Sequence, residues 1–112
     1  MKHIPQLILD SSLPYLEDLA REVGAVTTLA SRDFSPERIA QADALLIRSV
    51  VHCDAALLSG SRVRMIATAT AGYDHIDGPW CDAAGIAWRN APGCNAGGVV
   101  QYVLSSLAAW SL

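Results

Sequence analysis

Two glycine signatures are missing from this chain of 112 residues: its eight glycines form no G-x-G-x-x-G motif and no G-x-x-x-x-G-K motif. The chain therefore has no loop of the kind that cradles the phosphates of a dinucleotide or a nucleoside triphosphate. Cysteine is scarce too. Cys53, Cys81 and Cys94 are odd in number and widely spaced, with no Cys-x-x-Cys pair and no matching His spacing for zinc. That argues against a disulfide scaffold or a metal site and for a reduced compartment. Charge is thin, at 17% of residues, and the eight Lys and Arg are scattered within a net charge of −3. A nucleic-acid partner needs a basic face to displace counterions, so that class is set aside. No apolar run approaches the roughly 18 residues of a membrane span, and no basic segment followed by an apolar core marks an export signal. The expectation is a cytoplasmic chain with no membrane and no nucleic-acid partner.

What is present is apolar. Hydrophobic residues make up 52% of the chain, richer than an average soluble domain and suited to a mostly covered sheet or an interface. The length allows one domain with one core. Strand-length apolar runs alternate with helix-length segments, the pattern of parallel βαβ units. Strands are predicted at Gln6 to Leu9, Ala25 to Leu29, Ala44 to Ile47, Met65 to Thr68 and Ile86 to Trp88. Ala44 to Ile47 shows no polar alternation, which predicts a central strand covered on both faces. Helices are predicted from Pro14 to Val23 with Ser12 as cap, from Pro36 to Ala40 capped by Ser35, through Leu58 with Asp54 as cap and Gly60 closing it, and from Trp80 to Ala84 closed by Gly85, with Gly78 and Pro79 punctuating the chain before it. A last helix, Ala96 to Leu112, follows Asn95. It contains no Lys, Arg, Asp or Glu and would span about 25 Å, so it expects cover on more than one side.

Five such units predict an α/β, flavodoxin-like parallel sheet of order 2-1-3-4-5 with helices on both faces, whose ligand crevice lies outside the carboxyl ends of the strands. Those ends carry Asp10-Ser11-Ser12, Arg48-Ser49, Thr70-Ala71-Gly72 and the stretch from Asn90 to Asn95. Arg48 is the cation placed to meet an anionic ligand, with Ser49 adding a hydroxyl. Thr68 to Gly72 has two readings. It is either a tight packing loop or a nest whose N–H groups and Thr70 hydroxyl bind an anion. Pro92-Gly93-Cys94-Asn95 reads as a turn and helix cap. His75, flanked by Asp74 and Asp77, is expected to brace its loop rather than act as a base, because adjacent residues point apart. Trp80, Trp88 and Trp110 read as packing groups. A phosphate-accepting receiver module would need acids after the first and third strands, and a flavin binder a Ser/Thr-rich loop after the first. Here stand Asp10 with two serines, Arg48-Ser49 and Ser11-Ser12-Leu13-Pro14.

The succession Leu45-Leu46-Ile47-Arg48-Ser49-Val50, Thr68-Ala69-Thr70-Ala71-Gly72-Tyr73-Asp74-His75-Ile76-Asp77, Ala84-Gly85-Ile86, Ala91-Pro92-Gly93-Cys94-Asn95-Ala96 and Val99-Val100-Gln101-Tyr102-Val103 resembles the amino-terminal part of the D-isomer-specific 2-hydroxyacid dehydrogenases. Within them it is most similar to the branch that oxidises 4-phospho-D-erythronate in vitamin B6 biosynthesis. The resemblance implies a substrate-binding domain over 1–94 and an interdomain helix over 95–112 leading to an NAD-binding Rossmann domain not contained in these residues. It puts the substrate-binding positions on Arg48, Ser49 and Thr70. It implies no catalytic, cofactor-binding or metal-binding residue in this chain, because the family's catalytic Arg, Glu and His and its cofactor loop have no counterpart here. NAD would serve the complete enzyme and bind this chain weakly, and the isolated chain would be inactive. The final apolar helix would then meet the missing domain or a second copy of the chain. Gly97-Gly98 and Gln101 depart from the family's usual apolar pair and acid. Each glycine costs about 0.5–1 kcal/mol relative to alanine in a helix.

Overall fold

The computed structural model describes residues 4–13, 16–22 and 24–91, together with Gln101 and Ser105 as single helical positions. Strands and helices alternate along the chain: β1 (Gln6–Asp10), α1 (Glu17–Arg21), β2 (Ala25–Leu29), a 3₁₀ turn (Ser31–Asp33), α2 (Pro36–Ile39), β3 (Ala44–Ile47), α3 (Ala55–Leu58), β4 (Met65–Thr68), α4 (Gly78–Ala84) and β5 (Ala87–Arg89). The five strands form one sheet in the order β2-β1-β3-β4-β5, every pair parallel. The order reverses between β1 and β3, so the carboxyl ends of those strands flank the crevice where such sheets hold ligands.

Successive strand residues face opposite sides, and the core splits accordingly. Ile8, Leu45, Ile47 and Ile66 pack with Ile39, Leu57, Leu58 and Cys81 from α2, α3 and α4, with Trp80 and Trp88 against the same cluster. Leu7, Leu9, Ala44, Leu46, Met65 and Ala67 pack on the other side with Leu13, Leu16 and Ala20. Full burial of each Leu or Ile contributes about 1.5–3 kcal/mol. All four residues of β3 are buried, as its unbroken apolar run predicts.

The short helices are held at their ends. Ser35 Oγ accepts from the Arg38 N–H at 3.3 Å, Asp54 from Leu57 at 3.2 Å and Asp77 from Trp80 at 3.1 Å, each cap contributing about 1 kcal/mol. Gly85 closes α4 at φ 79°, a left-handed conformation that a Cβ disfavours.

Three expectations need correction. Ser12 does not cap α1: its N–H and hydroxyl both donate to Asp10 Oδ1, at 2.9 and 2.8 Å, and the residue at the cap position is Leu16, with no side-chain cap. The buried Asp10 carboxylate at the strand end is a nearer and stronger acceptor than a helix terminus is a donor. Gly78 and Pro79 do not interrupt the chain but form the first turn of α4, where proline's missing N–H costs nothing. β5 pairs one residue later than its apolar run suggests, ending at Arg89. Pro14, Tyr15, Val23 and, apart from Gln101 and Ser105, the helix expected from Ala96 to Leu112 lie outside the described residues, as do the Pro92 to Asn95 turn and Gly97-Gly98.

Candidate functional site

At the end of β1, Asp10 is buried and surrounded by donors: the Ser31 hydroxyl on Oδ2 and the Ser12 N–H and hydroxyl on Oδ1. Burial alone would raise its pKa, but the Ser31 and Ser12 hydrogen bonds, with the Arg48 charge, hold the carboxyl below its ordinary value. Asp10 is thus an ionised group whose negative potential reaches Arg48. Arg48, Ser49 and Val50 follow β3 and are all exposed. No hydrogen bond or ion pair engages Arg48 among the described residues.

The loop after β4 is built differently. Thr68 is fully buried and its hydroxyl lies 2.9 Å from Nε2 of His75 and 2.7 Å from the Thr70 hydroxyl. Thr70 Oγ1 donates to the Gly72 carbonyl at 2.8 Å. Asn90 Nδ2 donates to the Ala71 carbonyl at 2.6 Å and the Ala91 N–H to the Thr70 carbonyl at 2.8 Å. Three successive carbonyls are therefore satisfied, while the N–H groups of Thr70, Ala71 and Gly72 have no acceptor among the described residues. Free consecutive N–H groups beside satisfied carbonyls are what a nest offers an anion. Tyr73 lies against Trp88, ring centroids 5.3 Å apart, so this tryptophan packs rather than standing as an open platform.

His75 is buried and its carbonyl accepts from the Cys53 N–H at 2.8 Å. Burial pushes its imidazole below its ordinary pKa, the charge of His52 adds to that, and Asp74 opposes it. The ring braces the loop through Thr68, as expected, and Asp77 is occupied as the α4 cap. Ser49, His52, Thr70, Gly72, Asp74 and His75 line one open cavity of about 350 Å³. Of the three residues expected to bind substrate, the fold brings Ser49 and Thr70 into this cavity. Arg48 stands beside Ser49 at the β3 end, within the electrostatic reach of Asp10. His52 and Asp74 carried no sequence signal beyond their places in connections. Their presence at the wall follows from the isolated bridge between Cys53 and Ile76 that draws the two loops together.

The remaining chemistry-bearing groups are quiet. Cys53 and Cys81 are free thiols, buried. Burial, with neighbouring acids, pushes them up to about 12 and about 11, so neither is a nucleophile at neutral pH. Cys94 lies outside the described residues. No cluster of three metal-ligating side chains occurs among the described residues, and no helix among them is long and apolar enough to cross a membrane.

Comparison with known proteins gives this edge a context. The family profile described as D-isomer specific 2-hydroxyacid dehydrogenase, catalytic domain, matches residues 6–110. The chain is 47% identical over 106 residues to the erythronate-4-phosphate dehydrogenase of Bacteroides thetaiotaomicron and 49% identical over 102 residues to that of Sodalis glossinidius, covering 94% and 91% of this chain. It spans only 30% and 27% of the length of those relatives. Among solved structures it resembles the NAD+-bound 3-phosphoglycerate dehydrogenase of Entamoeba histolytica, with a TM-score of 0.69 at 25% identity over 92% of this chain and 38% of that one. The D-lactate dehydrogenase of Aquifex aeolicus complexed with NAD and lactic acid shares the fold, with a TM-score of 0.64 at 20% identity over 79% of this chain and 28% of that one. With a profile match running across nearly all of its length, this chain belongs to the D-isomer specific 2-hydroxyacid dehydrogenase family.

Proposed function

We propose that this chain is the substrate-recognition part of an NAD-dependent dehydrogenase that oxidises 4-phospho-D-erythronate to 2-oxo-3-hydroxy-4-phosphobutanoate in pyridoxine (vitamin B6) biosynthesis. The observation that carries the reading is the meeting of Ser49 and Thr70 in one cavity, beside three N–H groups with no protein acceptor among the described residues and next in sequence to Arg48. A phosphorylated hydroxyacid has two anionic ends, and this edge offers two kinds of anion contact. The Arg48 guanidinium presents a fork of donors that fits a phosphate or carboxylate. The Thr70 to Gly72 N–H groups and the Ser49 hydroxyl can take the other end, which fixes the carbon to be oxidised between them.

NAD does not fit these residues. The loops after β1, β3 and β4 are Asp10-Ser11-Ser12, Arg48-Ser49 and Thr70-Ala71-Gly72, without the glycine spacing that lets a backbone approach a pyrophosphate. In this reading the cofactor loop and the catalytic Arg, Glu and His belong to a further domain, with 1–94 as the substrate domain and 95–112 as the connecting helix, and the 112-residue chain is inactive alone. Titration calorimetry with 4-phospho-D-erythronate tests it. The unaltered chain should bind, and Arg48→Ala should bind roughly ten- to a hundredfold more weakly, the worth of a charge-assisted hydrogen bond. Equal binding by both removes Arg48 from the site. Formation of NADH by the isolated chain with this substrate and NAD would place the catalytic groups within it after all.

A further inference from the structure

We propose that His75 is a positioning residue of the cavity shared by Ser49 and Thr70: its imidazole, protonated at Nε2, sets the direction of a hydroxyl relay that directs the Thr70 hydrogen outward onto the Gly72 carbonyl at the cavity wall, where a ligand acceptor atom can take the carbonyl's place. The inference deepens the reading above and rests on it for the identity of the ligand.

The direction follows from counting hydrogens. The Gly72 carbonyl can only accept, so the single hydrogen of the Thr70 hydroxyl lies on that contact. Thr70 Oγ1 can then only accept from Thr68. The Thr68 hydrogen is used in turn, which leaves its oxygen to accept from His75, and Nε2 must be the protonated nitrogen. The other tautomer reverses every bond. Nε2 would accept from Thr68, Thr68 from Thr70, and the Gly72 carbonyl would lose its donor while the mouth showed only lone pairs. One proton on one ring nitrogen therefore decides which kind of atom the cavity welcomes.

Burial keeps the relay one-way. Thr68 is 0% and His75 8% exposed, so no water competes for the inner two contacts, and the direction of the relay there is set by the ring nitrogen that carries the hydrogen. The outer end is open instead. Gly72 is exposed, and a ligand oxygen can take its carbonyl's place on Thr70 while water takes over the carbonyl. A phosphate or carboxylate oxygen suits that position, and an ammonium or amide N–H does not.

The test has two readouts on the full chain. A long-range proton–nitrogen correlation spectrum should show His75 with hydrogen on Nε2 and a bare Nδ1, and an Nδ1–H tautomer overturns the proposal without reference to any ligand. For binding, His75→Gln keeps a donor near the Nε2 position and His75→Leu removes it. With 4-phospho-D-erythronate as probe, the Gln variant should stay within about threefold of the unaltered chain, and the Leu variant should bind roughly tenfold or more weakly. Equal losses in two folded variants would mean the ring only fills space, and would overturn the proposal. Should the unaltered chain bind nothing, the substrate reading of the preceding section falls, and the tautomer alone decides the relay. Should the Leu variant not fold, the tautomer and the Gln variant still decide.

Discussion

The ends of β3 and β4 lie side by side, with Ile47 in register with Thr68, yet they are made on opposite plans. After β3 come Arg48, Ser49 and Val50, all exposed, Val50 at 64%. After β4 the hydroxyls of Thr68 and Thr70 and the carbonyls of Thr70, Ala71 and Gly72 are all engaged within the protein, through His75, Asn90 and Ala91. The contrast divides labour. A long arginine in water offers charge and reach, but ordering it around a ligand costs conformational entropy. A loop whose hydroxyls and carbonyls are already fixed offers direction at little further cost. In the proposed substrate site, attraction falls to one strand end and orientation to the other.

The comparison breaks most visibly under Thr68→Val, which keeps the shape but strands the His75 N–H and the Thr70 oxygen. An unsatisfied buried donor costs about 1–3 kcal/mol, so urea unfolding should show that loss. Arg48→Ala should leave stability within about 0.5 kcal/mol, as an exposed substitution does. A stability loss as large at Arg48 would mean the β3 end is as tightly built as the β4 end. Asn90→Ala removes one exposed contact to the Ala71 carbonyl and should cost about 0.5–1.5 kcal/mol, with amide shifts in the loop confined to residues 69–73.

The smallest effect is in pH. The folded His75 resists the proton that the unfolded chain takes up near its ordinary value of 6.5. Its contribution to stability is therefore complete above that pH and is lost as pH falls through the lower folded value. Asp10 behaves likewise further down: the stability it brings is present above its ordinary 3.8 and lost as pH falls through its depressed folded value. Unfolding measured from pH 7 to 5 should slope downward, and His75→Gln should flatten that limb while leaving the acid limb alone. A slope unchanged in His75→Gln would place the titrating group elsewhere.

Much of this was legible from the chain alone where one interaction dominates. Burial on both faces makes β3 an unbroken apolar run, and Ser35 and Asp54 stand one residue before helices whose first N–H groups need an acceptor. Legibility failed where two local partners compete. Ser12 could serve a helix start or a strand end, and only the burial of Asp10 settles the matter. Gly78-Pro79 could break the chain or begin a helix, and the Asp77 carboxylate on Trp80 decides for the helix. The site was half legible. Arg48 and Ser49 stand out as polar groups directly after an apolar strand and Thr70 as the hydroxyl of a small-residue loop, whereas His52 and Asp74 acquire a place at the cavity only when Cys53 and Ile76 pair.

By itself the sequence determined the number, type and order of the strands, because hydrophobic period and end-capping are local properties of neighbouring residues. Through its motifs it also determined the family. Only the tertiary structure decided which strand ends meet, where the His75 ring finds its hydroxyl, and that the carbonyls of Thr70 to Gly72 are satisfied while their N–H groups have no acceptor among the described residues. Those depend on contacts closed across the fold, such as Asn90 with Ala71, and hydrogen-bond partnership at that range is set by distance and burial rather than by the order of residues along the chain.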